Sequence, residues 1–302
     1  MGFEFWFTAV TMVFVALFAL WLCFPSERFL LARRENFSKR TMAFLDPTFA
    51  AAIDRDTRRL RRCAAALFVV MFPLASASDH YGLMLGAPVF SGLLPFIALA
   101  LIVFAAVRLR AAGREFAVSG RHSAVARPRK VVLTDYVSKA LQLATWAGVG
   151  ADVAVAAVLG VAWARGHTGA KATAFGLGEV VVILGMAVCA AWFGRALCER
   201  PTPAVDASHL YLQDAWRAST LGLAFGLVAI SAVFAFQSLV FAADVTWLDS
   251  AAQAPLLLSI AIALPVGPTQ WRWFRRRLWP TLEPGQMLLP GQPVPPTVGA
   301  SA

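Results

Sequence analysis

The sequence has few charged residues. Only 15% of its 302 residues are charged and 59% are apolar, whereas an ordinary soluble domain has about 25% charged and about 45–50% apolar residues. This balance excludes a soluble enzyme fold. Several apolar runs are long enough to cross a bilayer, so the composition predicts an all-α, polytopic transmembrane helical bundle.

Motifs for enzyme or cofactor chemistry are also missing. The chain contains no GxxxxGK[ST] phosphate loop, no HExxH zinc motif and no GxSxG nucleophile elbow. Its four histidines lie outside the apolar runs, and its four cysteines form no CxxC pair, which predicts reduced thiols at packing positions. We therefore expect no metal and no cofactor, and an enzyme is the weakest functional hypothesis.

Seven apolar segments are candidate membrane spans. The first competes with a cleaved signal peptide, but residues 1–5 contain Glu4 and no basic residue, which favours a retained helix. The second segment is short and the seventh contains two prolines. For these two segments, a tilted, kinked or re-entrant helix is the alternative to a regular span. The segments lie at about 5–24, 63–78, 88–107, 140–164, 174–194, 218–243 and 254–270.

The basic residues are distributed very unevenly between the connections. Twenty-five of the 27 lie in 25–62, in 108–139, in 195–217 or after residue 270, and only Arg165 and Lys171 lie on the opposite side. By the positive-inside rule, this places the N-terminus outside and the C-terminus in the cytoplasm. The net charge of +10 is then explained by topology, so nucleic-acid binding is not needed. Abundant Arg and Ala indicate a bacterial protein, which predicts the inner membrane.

The longest basic connection contains a candidate interfacial helix. Asp46 and Pro47 form a typical helix start, and apolar residues recur at helical spacing after them. We expect this helix to lie on the inner leaflet before it turns into the second span. Its basic residues would contact either anionic lipid headgroups or a protein partner. They are Arg55, Arg58, Arg59, Arg61 and Arg62. A milder version follows Asp206, which is predicted to cap a helix whose apolar residues face the membrane.

An acid precedes each even-numbered span at equal intervals. Asp56, Asp135 and Asp214 are spaced 79 residues apart, which suggests a threefold repeat of helical hairpins. Hairpins of similar length that arose by coincidence are the alternative. The predicted repeats are 46–110, 131–197 and 206–279, within a transmembrane domain 1–279 that precedes a Pro-rich, disordered tail 280–302.

Two acids lie inside predicted spans. A charge in the hydrocarbon costs at least about 2.5–3.5 kcal/mol, so Asp152 and Glu179 require protonation or a hydrogen bond to a neutral group. Matching depths predicts Ser231 opposite Asp152 and Gln237 opposite Glu179, both on the sixth span. Such a set would act as a relay for protons or cations, or it would serve only as hydrogen bonds between helices.

Two functional hypotheses follow from this organisation. The first is a non-enzymatic membrane subunit or scaffold that acts through a large basic cytoplasmic face. An association with a transport system is one form of this hypothesis. It is favoured because the cytoplasmic connections are long, whereas the external ones have only about ten residues. The alternative is a carrier coupled to protons or cations through Asp152 and Glu179.

Overall fold

The structure is a computed structural model that is helical over most of its described length. It describes residues 13, 16–80, 94–114, 131–200, 204, 206–242, 272–282 and 289, without the side chains of 71–80, 94–96, 113–114, 171–172, 175 and 237–242. These residues contain no β-strand, which confirms the all-α prediction. The helices are α1 (16–23), α2 (Glu27–Thr41), α3 (Pro47–His80), α4 (Leu94–Arg114), α5 (Leu133–Tyr136), α6 (Lys139–Ala164), α7 (Ala170–Glu199), α8 (Ala207–Ala242) and α9 (272–278).

Three of these helices are long and apolar enough to cross a membrane. The candidate spanning helices, over their described residues, are Lys139–Ala164, Gly176–Glu199 and Ala207–Phe236, which overlap the predicted fourth, fifth and sixth spans. Large apolar side chains on their outer surfaces are exposed, including Val181 (68%) and Val188 (66%) on α7. Exposed apolar surface on this scale marks a site of contact with a partner or a membrane. The chain is therefore a helical membrane protein.

Side-chain caps fix where two of the long helices begin. The carboxylate of Asp46 accepts a hydrogen bond from the backbone N–H of Phe49 at 2.7 Å, and Asp206 accepts one from that of His209 at 2.8 Å. Each bond satisfies one of the N–H groups that a helix start leaves without an intrahelical partner. Both predicted helix starts are thereby confirmed.

The predicted interfacial helix is wrong in one respect. Residues 47–80 form one uninterrupted helix, α3, in place of a helix on the leaflet followed by a turn. The physical reason is that no proline or glycine lies between Pro47 and Pro73 to end the helix. Continuous α8 likewise joins the predicted second interfacial helix to the sixth span. Tyr211 and Trp216 on it are buried in the protein at 1% and 3% exposure, not directed to the membrane.

Close packing of α6 against α8 builds the centre of the bundle. Thr145 on α6 contacts the carbonyl oxygen of Phe225 on α8 at 3.3 Å. A Cβ added at Gly148 would lie 3.0 Å from the Cβ of Ala232, so this glycine permits the helices to approach. The later residue on α6, Gly148, faces the later residue on α8, Ala232, so the two helices run parallel.

Several predicted segments lie outside the described residues. They are the start of the first span, residues 88–93 of the third span, the whole of the seventh span at 254–270, and most of the tail 280–302. The seven-span count and the disordered tail therefore stay predictions.

Candidate functional site

The predicted cytoplasmic connections meet at one end of the bundle, which we call the basic end. The hydroxyl of Tyr211 on α8 donates to the carbonyl oxygen of Thr41 at the end of α2, at 2.6 Å. The indole of Trp273 on α9 donates to the carbonyl oxygen of Thr134 on α5 at 2.9 Å. Chain segments that are far apart in sequence are thus joined in one polar layer. The basic end comprises the described residues of 27–62, 104–110, 131–139, 195–217 and 272–282.

A buried ion pair lies at the centre of the basic end. Asp56 on α3 accepts a hydrogen bond from Arg108 on α4, and the two side chains are only 3% and 6% exposed. The guanidinium carbon of Arg108 also lies 5.3 Å from the ring centroid of Phe104 and 5.2 Å from that of Trp216. These distances are within the range of cation–π attraction.

This ion pair is incompletely satisfied. Within the described part of the chain, the Nε of Arg108 has no hydrogen-bond partner. Burial raises the pKa of Asp56 above its ordinary value, although the positive charge of Arg108 and a side-chain hydrogen bond from Trp216 oppose the rise. Desolvation therefore offsets much of the attraction between the two charges.

The other two equally spaced acids are also buried at the basic end. Asp214 on α8 accepts hydrogen bonds from the hydroxyl of Tyr136 at 2.8 Å and from the indole of Trp279 at 2.9 Å. Asp135, which is fully buried, accepts one from the backbone N–H of Val132 at 3.1 Å and lies 3.7 Å from Nε of Arg277. Each acid thus joins two segments of the basic end or holds the start of a helix.

Sequence reasoning noticed the spacing of these three acids but did not identify them as a site. It also missed their partners Arg108, Tyr136 and Trp279. The 79-residue interval was the available signal, because acids that recur at the starts of helical hairpins indicate a shared structural position. The hairpin repeat itself stays a prediction.

The five arginines predicted to form a lipid or partner surface do not act alike. Arg55, Arg59 and Arg62 are exposed on α3. Arg61 is used within the protein, because its guanidinium donates to the carbonyl oxygens of Trp21 and Leu22 at 3.0 and 2.9 Å. Arg58 is half-buried, and its guanidinium pairs with the carboxylate of Glu27 at 3.1 Å. Of the five, the first three are the ones whose side chains are exposed.

The structure places the predicted intramembrane residues inside the bundle. Asp152, Glu179 and Ser231 are 0%, 4% and 1% exposed, so none faces the outside. Neither oxygen of Asp152 nor the Oγ of Ser231 has a hydrogen-bond partner among the described residues, and the two side chains are therefore not bonded to each other. Glu179 is near enough to Asp152 for the two carboxyl groups to interact electrostatically. The side chain of Gln237 lies outside the described residues.

The arrangement offers no binding set for a metal in the part of the chain that the structure describes, where no group of three His, Cys, Asp or Glu side chains comes together. The four cysteines, all of them described, are unpaired. Comparisons with protein-family models, with curated proteins and with solved structures find no match to this chain. Its function has to be inferred from its own geometry.

Proposed function

We propose that this chain is a bacterial inner-membrane protein that serves as a non-enzymatic subunit or scaffold. In this proposal it crosses the bilayer seven times, with the N-terminus outside and the basic end in the cytoplasm. The partner is a membrane or cytoplasmic protein with an acidic surface, surrounded by anionic lipid headgroups. Nucleic acid plays no part.

The observation that supports this proposal is the locked geometry of the basic end. Five separate segments meet there, and buried contacts such as Asp56–Arg108 and Tyr136–Asp214 hold them together. A surface built on fixed helices presents its charges in one arrangement, which favours recognition of a specific partner. If the basic residues served only to orient the protein in the membrane, these buried contacts would not be needed.

The continuous helix α3 favours a protein partner for its exposed arginines. Because the helix does not bend onto the leaflet, its residues recede from the bilayer at about 1.5 Å each. Arg55 then lies about 12 Å beyond the start of the predicted second span, whereas Arg62 lies beside it. Arg55 is thus in position to contact a protein, and Arg62 to contact lipid headgroups.

Charge reversal tests the scaffold. We expect Arg55→Glu with Arg59→Glu to remove the partner that co-purifies with the wild-type protein in an uncharged detergent. Arg165→Glu, at the opposite end of α6, should retain it. Loss in both variants, retention in both, or no stoichiometric partner for the wild type would contradict the proposal.

Cysteine labelling tests the orientation separately. In a variant that lacks the native cysteines, we expect Arg62→Cys to react with a membrane-impermeant maleimide only after the cells are opened. Labelling of intact cells would place the basic end outside the cytoplasm and refute this part of the proposal.

A second candidate function is a carrier for protons or cations, and it has a specific observation in its favour. Asp152 is fully buried, and its carboxyl oxygens have no hydrogen-bond partner in the described residues. A role only as a hydrogen bond between helices would need such a partner. An intramembrane acid is by default a candidate for ion or proton transfer.

Proteoliposomes test the carrier. We expect wild-type protein to move protons or a cation across the vesicle membrane, and Asp152→Asn to abolish the movement. Glu199→Gln changes an exposed acid at the basic end, and this matched control should retain the movement. Transport that persists in Asp152→Asn, or none in the wild type, would reject the carrier.

A further inference from the structure

An open groove of about 630 Å³ lies between α4 and α7. Its size is in the range of small-molecule sites, about 300–1,000 Å³. Most of its lining is apolar, and two arginines complete it. The lining includes Ile102, Ala106 and Arg110 on α4, Trp192 on α7, and Arg200 directly after α7.

The groove has an apolar end and a charged end. The rings of Phe104 and Phe193 are in contact, with centroids 6.2 Å apart, and Arg200 donates to the carbonyl oxygen of Leu109. These contacts show that α4 and α7 run in the same direction, toward the basic end. The apolar lining therefore precedes the two arginines on both helices, and from Ile102 to Arg110 the groove extends about 12 Å along α4.

The two arginines lie near the basic end of a candidate spanning helix. The described part of that helix, Gly176–Glu199, ends at Glu199, and Arg200 follows it directly. Trp192, which is 61% exposed, lies two turns earlier, where amphipathic rings prefer the boundary between hydrocarbon and headgroups. Arg110 is exposed. Arg200 uses one guanidinium nitrogen on Leu109, and a guanidinium has five N–H donors, so others remain for a ligand.

We propose that this groove binds an anionic phospholipid, with an acyl chain between α4 and α7 and the phosphate group at Arg110 and Arg200. An apolar groove that ends in two adjacent cations matches a ligand with a hydrocarbon chain and a negative headgroup. Guanidinium groups suit phosphate because their planar donors match its geometry. Basic pockets between membrane helices bind such headgroups on the cytoplasmic side. The inference rests on the proposed function only in that the chain crosses a bilayer.

Quenching of Trp192 provides a direct measurement. Full-length protein in an uncharged detergent would be titrated with phosphatidylglycerol or phosphatidylcholine, each brominated on its acyl chains. Bromine quenches indole fluorescence on contact, and the difference between wild type and Trp192→Phe isolates the signal of this tryptophan. We expect phosphatidylglycerol to quench it at lower concentration than phosphatidylcholine. Each basic residue near an anionic lipid surface is worth about 1 kcal/mol, or about fivefold.

Two variants and a matched control locate the ligand. Arg110→Gln should reduce the preference for phosphatidylglycerol about fivefold. Ala106→Phe, at an exposed position of the lining, should weaken binding of both lipids because the ring fills the groove. The control, Arg55→Gln on α3, removes one exposed positive charge outside the groove and should leave the preference unchanged.

The outcomes separate the sources of the phosphate. Equal quenching by both lipids, or equal loss of preference in Arg55→Gln and Arg110→Gln, would overturn the proposal. Competition by inorganic phosphate at the same concentration as the lipid would overturn it as well, because free phosphate and not a lipid would then be the ligand. If the basic end faced outside, the cysteine-labelling test would fail while the quenching of Trp192 could still show lipid binding. Failure of the proposed orientation and failure of the lipid proposal are therefore distinguishable.

Discussion

Removal of Arg108 alone should destabilise the protein strongly. Arg108→Met leaves the Asp56 carboxylate, which is only 3% exposed, without its ion-pair partner. Breaking a buried pair in this way costs about 3–5 kcal/mol, because an uncompensated charge stays in the interior. Two cation–π contacts, with Phe104 and Trp216, are lost at the same time, and each is worth about 0.5–1 kcal/mol or more. We therefore expect a loss of about 4 kcal/mol in the free energy of unfolding.

Removal of both partners should cost far less. Since the Nε of Arg108 lacks a hydrogen-bond partner in the described residues, the pair does not fully recover its desolvation penalty. Apolar replacement of a buried pair is often neutral or stabilising. The double variant Asp56→Leu with Arg108→Met should accordingly unfold within about 1 kcal/mol of the wild type.

Reversible unfolding in mixed micelles, followed by circular dichroism, would measure these differences. Arg110→Met, two residues further along α4 at an exposed position, controls for the loss of a positive charge and should change stability by less than about 0.5 kcal/mol. The reasoning is refuted if Arg108→Met is as stable as this control. It is also refuted if the double variant loses as much stability as the single variants Asp56→Leu and Arg108→Met together.

Three further predictions concern pH, packing and capping. Because burial raises the pKa of Asp56 in the folded protein, the native state binds its proton more tightly than the unfolded chain does, and stability falls as pH rises toward the folded pKa. Arg108→Met should therefore gain stability on acidification from neutral pH, and the same variant with Asp56→Asn should not. Gly148→Ala should destabilise the bundle, whereas Gly150→Ala, with open space around its Cβ, should not; equal thermal midpoints would contradict this. Asp206→Ala should cost about 1 kcal/mol of unfolding free energy, and no measurable loss would mean that the cap is dispensable.

Local features of the fold were predictable from the sequence. The predicted fourth span, 140–164, corresponds to α6 at Lys139–Ala164, and both acidic caps are present. Hydrophobic run length and capping chemistry depend on residues close together in the chain, so they can be read without tertiary structure. The prediction of a helix on the inner leaflet was wrong. The basic and apolar residues of 47–62 form the pattern of a surface helix, and this pattern is the same whether or not the helix continues into a span.

The contacts of the site were not predictable. Tyr136 and Asp214 are 78 residues apart, and Asp56 and Arg108 are 52 apart. Such pairs depend on which helices become neighbours, and one sequence does not determine this. Matching depths in the sequence predicted that Asp152 and Ser231 lie opposite each other. Both side chains are buried in the bundle, but the sequence could not show that no hydrogen bond forms between them.

The unbroken course of α8 has a mechanical consequence. Its 36 residues correspond to about 54 Å of helix, whereas the hydrocarbon of a bilayer is about 30 Å thick. Roughly 20 Å of the same rod therefore stands clear of the hydrocarbon, where Tyr211 and Asp214 attach it to other segments. A small change in the tilt of this rod within the lipid would swing its outer end as a lever, with no joint in between to absorb the motion.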